Sequence, residues 1–171
     1  MINSFSTPRL ALIITSALGC IFTFFVWLNE IERTTFLAQP LLNALWCAAM
    51  PLGLSVFLII KKWGKGEAVT GMLNNIKLFA GAILMVIFLS YLLLTTVVWL
   101  LPGTTSTYTA YSEFSGGSRN SCSGVNVNDP DLQRRIKVCE PAGNYFGGGM
   151  LRVTKRSNAA GMTIINAFLK D

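Results

Sequence analysis

LFAGAILMVIFLSYLLLTTVVWLL, residues 78–101, is an apolar run that contains no Asp, Glu, Lys or Arg. A helix needs about 20 such residues to cross the hydrocarbon core of a bilayer. Residues 10–28 and 34–60 form two further uncharged runs of similar length. Because lipid cannot hydrogen-bond to an open backbone, the runs predict three transmembrane helices, over about 10–28, 40–60 and 78–101.

The first run resembles a secretory signal peptide only in its position near the N-terminus. The apolar core of a signal peptide spans about 7–15 residues and is followed by small residues at the cleavage site. Residues 22–28, FTFFVWL, are instead almost all large and apolar. We therefore expect this segment to be retained as the first transmembrane helix.

The composition agrees with a lipid environment and excludes several kinds of chemistry. Hydrophobic residues make up 52% of the chain and charged residues 13%, whereas about a quarter of a typical soluble domain is charged. The chain has no His, which removes the commonest general base and the commonest metal ligand. The apolar runs also lack the charged residues that mark pumps and transporters. We therefore expect no catalytic residue, no metal site and no cofactor.

The distribution of charge predicts the orientation in the membrane. Four lysines lie between the second and third runs with only Glu67 opposing them, namely Lys61, Lys62, Lys65 and Lys77. The loop between the first two runs has Glu30, Glu32 and a single Arg33. Since basic loops stay in the cytoplasm, the lysine loop and the N-terminus are predicted to be cytoplasmic. The chain after residue 101 is then outside.

Small residues predict how the helices pack. They recur at Ala44, Ala48, Ala49 and Gly53 in the second run and at Ser16 and Gly19 in the first. Such spacings allow close approach of helix backbones, so we expect the three helices to pack together; a homodimer through the same face is the alternative. Pro51 lies in the middle of the second run, and a kink is expected near Met50.

The composition changes after residue 102 to Thr, Ser, Tyr, Gly and Asn, which predicts a boundary between a membrane domain, 1–102, and an outer domain, 103–171. Cys122 and Cys139 lie in this tail, and we expect them to form a disulfide in an oxidising compartment. Closing such a loop stabilises a small domain by about 3 kcal/mol. Cys20 and Cys47 lie inside predicted helices and are expected to be free.

The tail is predicted to be β-rich or α+β. Alternation of side chains over 107–114 and again over 150–154 predicts two strands. Asp129 followed by Pro130 is typical of a helix start, so a short helix is expected from Pro130 to about Lys137; a strand over 136–139 is the alternative. The run MTIINAFL, residues 162–169, fits either a helix or a strand.

Basic residues of the tail form two clusters in the sequence. The clusters are Arg134, Arg135 and Lys137, and Arg152, Lys155 and Arg156. If the disulfide brought them together, they would form one positive face that binds a partner protein or anionic lipid headgroups. A solvated face is the simpler interpretation. Nucleic acid is not expected as a partner outside the cytoplasm.

Together these features predict a non-enzymatic, multi-pass membrane protein that presents a small outer domain to another membrane or secreted protein. It would act as an accessory subunit or as an antagonist of the immunity or exclusion type. Membrane lipids are its expected surroundings, and a homo-oligomer is the alternative to a single copy. The tail has no Asn-x-Ser/Thr glycosylation sequence, which favours a bacterial inner membrane. The alternatives are a membrane-anchored hydrolase that uses Ser and Lys, or a protein that binds anionic lipid.

Overall fold

The computed structural model describes residues 7–63, 71–118 and 121–170, which form three long helices and an antiparallel sheet. The helices are α1, Thr7–Trp27, α2, Gln39–Trp63, and α3, Met72–Leu100, and one π-helical turn, Leu28–Glu32, follows α1. All three are long and apolar enough to cross a membrane, so the helices predicted from the apolar runs are present. Lys65 lies outside the described residues.

Packing of α2 against α3 uses the predicted small residues. Ala49 is buried, and a Cβ added to Gly53 would lie 2.6 Å from Cγ1 of Ile83, so the two helices approach closely there. The side chains of α1 are exposed from residue 11 to residue 26. At Gly19 no atom outside its own helix comes within 4 Å of a built Cβ, so the close approach predicted there is not seen.

The six strands are all paired antiparallel, in the order β1-β6-β5-β2-β3-β4. Their bounds are Thr35–Leu37 for β1, Thr104–Ser115 for β2, Gly124–Asp129 for β3, Arg134–Cys139 for β4, Gly149–Asn158 for β5 and Gly161–Lys170 for β6. The strands predicted over 107–114 and 150–154 are confirmed. The ambiguous run 162–169 is a strand, and β1 joins the sheet from the loop between α1 and α2.

The short helix predicted from Pro130 is wrong. Residues 130–133 form a single turn, in which Oδ1 of Asp129 accepts hydrogen bonds from the backbone N–H of Asp131 and of Leu132. That is the capping geometry the sequence indicated, but Gln133 has a φ of +50° and ends the turn. The chain then continues as β4, because alternating Ile136 and Val138 are buried in the core.

The sheet curves into a half-barrel whose concave face holds the apolar core. The core residues are Val125, Val127, Ile136, Val138, Leu151, Val153, Met162 and Ala167. A bulge between Thr154 and Lys155 interrupts the pairing of β5 with β6. Bulges increase the local twist of a strand, which suits a sheet that curves into a half-barrel.

The half-barrel is joined to the end of α3. Arg156 and Asn158 of β5 donate side-chain hydrogen bonds to the carbonyls of Trp99 and Val98, which are among the last in α3 and have no helical partner. Thr95 and Val98 are buried beneath this junction. Since β1 pairs with β6, the loop after α1 and the tail after α3 meet at the same end of the helices.

Candidate binding site on the half-barrel

The two basic clusters of the sequence lie on different strands. Arg134, Arg135 and Lys137 are on β4, whereas Arg152, Lys155 and Arg156 are on β5. Strands β3 and β2 separate β4 from β5 in the sheet. The Cys122–Cys139 bridge therefore does not bring the two clusters onto one continuous edge.

Lys155 is buried in the half-barrel, with 1% of its surface exposed. Its Nζ lies 2.8 Å and 2.6 Å from the two carboxylate oxygens of Asp129, and 2.8 Å from Oδ2 of Asp131. The same ammonium lies 4.7 Å from the centre of the Tyr108 ring, which adds a cation–π contact. A lysine has three N–H donors, and the two carboxylates supply acceptors for all of them.

The pKa values around Lys155 follow from these contacts. The hydrogen bond from Lys155 is the main cause that lowers the pKa of Asp131, and the remaining solvation of that carboxyl limits the opposing effect of burial. Burial raises the pKa of Tyr108, and the negative charge of Asp129 acts in the same direction. The phenol therefore stays neutral and the Asp131 carboxyl ionised near pH 7.

The other five basic residues also contact their own chain. Arg134 donates to the carbonyl of Leu37 at 3.0 Å, Lys137 to the carbonyl of Gly116 at 3.1 Å, and Arg156 to the carbonyl of Trp99. Arg135 pairs with Glu113 at 2.5 Å, and Arg152 lies 5.7 Å from the ring centre of Phe168. The Arg135–Glu113 pair is exposed on both sides and therefore adds little to stability, whereas Arg134 and Arg156 link β4 and β5 to backbone carbonyls of β1 and α3.

The predicted disulfide is confirmed. Cys122 and Cys139 are bonded, with 5.6 Å between their Cα atoms, and they tie the loop after β2 to the end of β4. Cys20 and Cys47 are free, as expected. The bridge therefore holds an edge strand of the sheet, which has a hydrogen-bonded neighbour on one side only.

An aromatic cluster lies where β2 ends and β5 begins, with Phe114 and Phe146 exposed and Tyr145 part-buried against the core. The rings of Phe114 and Phe146 are 5.4 Å apart, and the rings of Tyr145 and Phe146 are 5.0 Å apart. Phe114 is 42% exposed and Phe146 is 67% exposed. Exposed aromatic clusters on a rigid support are typical of protein-binding surfaces, because aromatic side chains dominate binding energy at such surfaces.

The backbone beside the aromatic cluster is built from glycines. Gly148 and Gly149 have φ values of +68° and +144°, and a Cβ at Gly148 would lie 2.8 Å from the carbonyl oxygen of Ser112. Only glycine adopts these conformations without strain. No role for Tyr145 and Phe146 was predicted from the sequence, although this glycine-rich segment presents both side chains.

Within the described residues, no group of three or more Cys, Asp or Glu side chains is placed to hold a metal ion. No protein-family model, curated protein or solved structure matches this chain.

Proposed function

We propose that this chain is a non-enzymatic membrane protein that presents its half-barrel to another membrane or secreted protein. It acts as an accessory subunit or as an antagonist of the immunity or exclusion type. The aromatic cluster carries the proposal: Phe114 and Phe146 are exposed, and Tyr145 supports them from a part-buried position. Covering these rings with a partner removes apolar surface from water, which provides the binding free energy. The disulfide and the buried Lys155 network support the proposal because they hold the sheet rigid.

The first test truncates the aromatic cluster. The double variant Phe114→Ala and Phe146→Ala is expected to lose a stoichiometric partner during mild-detergent purification from the native host, since truncating one such residue commonly weakens binding by more than tenfold. Ile165→Ala is the matched control, because Ile165 is an apolar side chain of the same sheet that is 57% exposed and lies outside the cluster. Mass spectrometry of the purified complexes gives the result. Recovery of the same partner with the double variant would contradict the proposal.

The membrane proposed is a bacterial inner membrane, with the N-terminus and the lysine loop in the cytoplasm. Lys61 and Lys62 in the last turn of α2 and Lys77 near the start of α3 flank that loop, and they support this orientation. The first loop and the tail meet in one sheet, which is consistent with three spans that put the sheet and the N-terminus on opposite sides; the choice of the cytoplasmic side rests on the lysines.

Thiol trapping in intact cells tests this orientation. Cys122 and Cys139 are expected to be oxidised and unreactive towards a maleimide until a reductant is added, because disulfides persist on the oxidising side of the membrane. Cys20 and Cys47 serve as internal controls for labelling after denaturation. Full maleimide labelling of Cys122 and Cys139 without reductant would place the sheet in the cytoplasm instead.

The hydrolase alternative draws less support from the geometry. A Ser–Lys pair needs a lysine amine within hydrogen-bond reach of the serine hydroxyl. The buried Lys155 is directed to two carboxylates, and the nearby Ser157 hydroxyl donates to Asp131 at 3.1 Å. Lys137 bonds to a backbone carbonyl. We therefore favour binding over catalysis as the role of the outer sheet.

A further inference from the structure

The half-barrel has two edges, β1 and β4, that face each other without pairing. They are the terminal strands of the sheet, and neither is hydrogen-bonded to the other. The side chain of Arg134 reaches from β4 to the carbonyl oxygen of Leu37 in β1. We call the space between β1 and β4 the seam. An arginine side chain rather than a backbone ladder therefore links the edges at that end of the seam.

The backbone groups that border the seam follow from the pairing on the other side of each edge strand. Because Glu140 N–H bonds to the carbonyl of Ser123, strand alternation directs the backbone of Arg135, Lys137 and Cys139 away from β3 and into the seam. On β1, Ile164 N–H bonds to the carbonyl of Thr34. The backbone of Thr35 and Leu37 therefore also faces the seam.

Two clefts occupy the seam. One has a volume of about 200 Å³ and is lined by Glu32, Arg33 and Phe36 on the β1 side and by Lys137, Cys139 and the loop residues Ser121 and Cys122 on the β4 side. The other has a volume of about 280 Å³ and lies between Thr34 and Val138. Nε of Arg134 is buried and has no hydrogen-bond partner among the described residues. The seam therefore contains both open space and a buried guanidinium nitrogen that has no hydrogen-bond partner among the described residues.

The two faces of the seam differ in chemistry. On the convex side, β4 presents the basic side chains of Arg135 and Lys137. On the concave side, the apolar side chains of Ile136, Val138 and Phe36 border the core. A strand placed in the seam would therefore alternate between residues that meet basic side chains and residues that meet the core.

We propose that the seam accepts an extended segment of a partner protein as an additional strand, with acidic residues on its convex face and apolar residues on its concave face. The segment hydrogen-bonds to the free edge of β4. Its acidic residues pair with Arg135 and Lys137 in place of the exposed contacts that these side chains make with Glu113 and the Gly116 carbonyl. This inference rests on the proposed binding function and adds a second surface, separate from the aromatic cluster. It also gives the β4 basic cluster a role, since those side chains flank an unpaired backbone edge.

A random twelve-residue peptide library, selected against the full-length protein in detergent, tests the proposal. Enriched peptides are expected to alternate acidic with β-branched or aromatic residues and to lack proline. Lys137→Pro removes the N–H that faces the seam, and an edge strand tolerates proline at such a position. It should weaken the enriched peptides by roughly tenfold relative to Lys137→Ala, which removes the side chain only. Retention of the Cys122–Cys139 disulfide checks the fold of each variant.

Lys137→Glu gives an independent test that leaves the backbone unchanged. It should weaken the acidic peptides and strengthen variants of them that carry lysine at the acidic positions. Equal binding of the acidic peptides to Lys137→Pro and Lys137→Ala, or to Lys137→Glu and the unchanged protein, would overturn the seam proposal. The seam proposal would also be overturned if no alternating peptides were enriched, or if two copies of the protein formed a dimer through β4. If any of these results were obtained while the double variant Phe114→Ala and Phe146→Ala still lost the partner, the proposed binding function would stand and only the seam proposal would fail.

Discussion

Replacing Asp129 by Ala is expected to lower the free energy of unfolding of the half-barrel by about 3–5 kcal/mol. The substitution leaves the buried ammonium of Lys155 with only the exposed carboxylate of Asp131 as its ionic partner. It also removes the acceptor for the N–H groups of Asp131 and Leu132, so the turn between β3 and β4 loses its cap. Chemical denaturation of the full chain in detergent, followed by hydrogen exchange in β3 and β5, measures the effect.

Two further variants distinguish the free-energy cost of an unpaired buried charge from the cost of losing an exposed ionic contact. Asp131→Asn removes an ionic partner that is 54% exposed, so its effect should stay below about 1 kcal/mol. Asp129→Leu combined with Lys155→Met removes both charges and should recover much of the stability that Asp129→Ala loses, because an apolar pair of similar volume requires no desolvated charge. If Asp129→Ala and Asp131→Asn were equally mild, the network would not stabilise the sheet in this way.

The position of Lys155 shows where sequence reasoning reaches its limit. A lysine between two polar residues of an alternating strand is normally an exposed residue, and the sequence analysis grouped it with Arg152 and Arg156 as a surface cluster. Its burial depends on β5 pairing with β2 and on β3 pairing with the other side of β2. Those pairings bring Asp129, which is 26 residues earlier, to the lysine. The alternation of β5 places Lys155 on the same face as Leu151 and Val153, but it does not show that a carboxylate from β3 lies there to pair with the ammonium.

The membrane helices were predictable because hydropathy alone defines them. Lipid requires long uncharged runs, and the three runs correspond to α1, α2 and α3 with small differences at their ends. The pairing of Cys122 with Cys139 was predictable because they are the only cysteines of the tail. The strand β1 was not, since three residues are too few to show alternation and its partner β6 lies more than 120 residues away in the sequence.

The aromatic cluster was missed for a related reason. Phe114 belongs to the end of a predicted strand, and Tyr145 and Phe146 lie in a glycine-rich turn. Their meeting depends on the register of β2 with β5, which places Ser112 opposite Gly149. The available signal was the pair of adjacent aromatic residues beside glycines, a location where a buried role is difficult because turns lie at the surface.

The second large effect is expected at the disulfide. Replacing Cys122 and Cys139 together by Ser should lower the free energy of unfolding of the sheet by about 3 kcal/mol, since the bridge closes a loop with a sequence separation of 17. The loss arises mainly in the unfolded chain, which gains freedom when the loop opens. Denaturation of the oxidised protein and of the double variant in the same detergent gives the difference.

The structure also predicts which strands exchange their amide protons faster when the disulfide is removed. Cys139 ends β4, which is hydrogen-bonded only to β3, so β4 and the loop from 121 to 123 should exchange their amide protons faster, whereas β5 and β6 should change little. Cys20→Ser with Cys47→Ser is the matched control, because those thiols are free and lie in the helices. An equal increase of exchange in all six strands would mean that the sheet unfolds as one unit. The bridge would then stabilise the whole half-barrel and not its β4 edge.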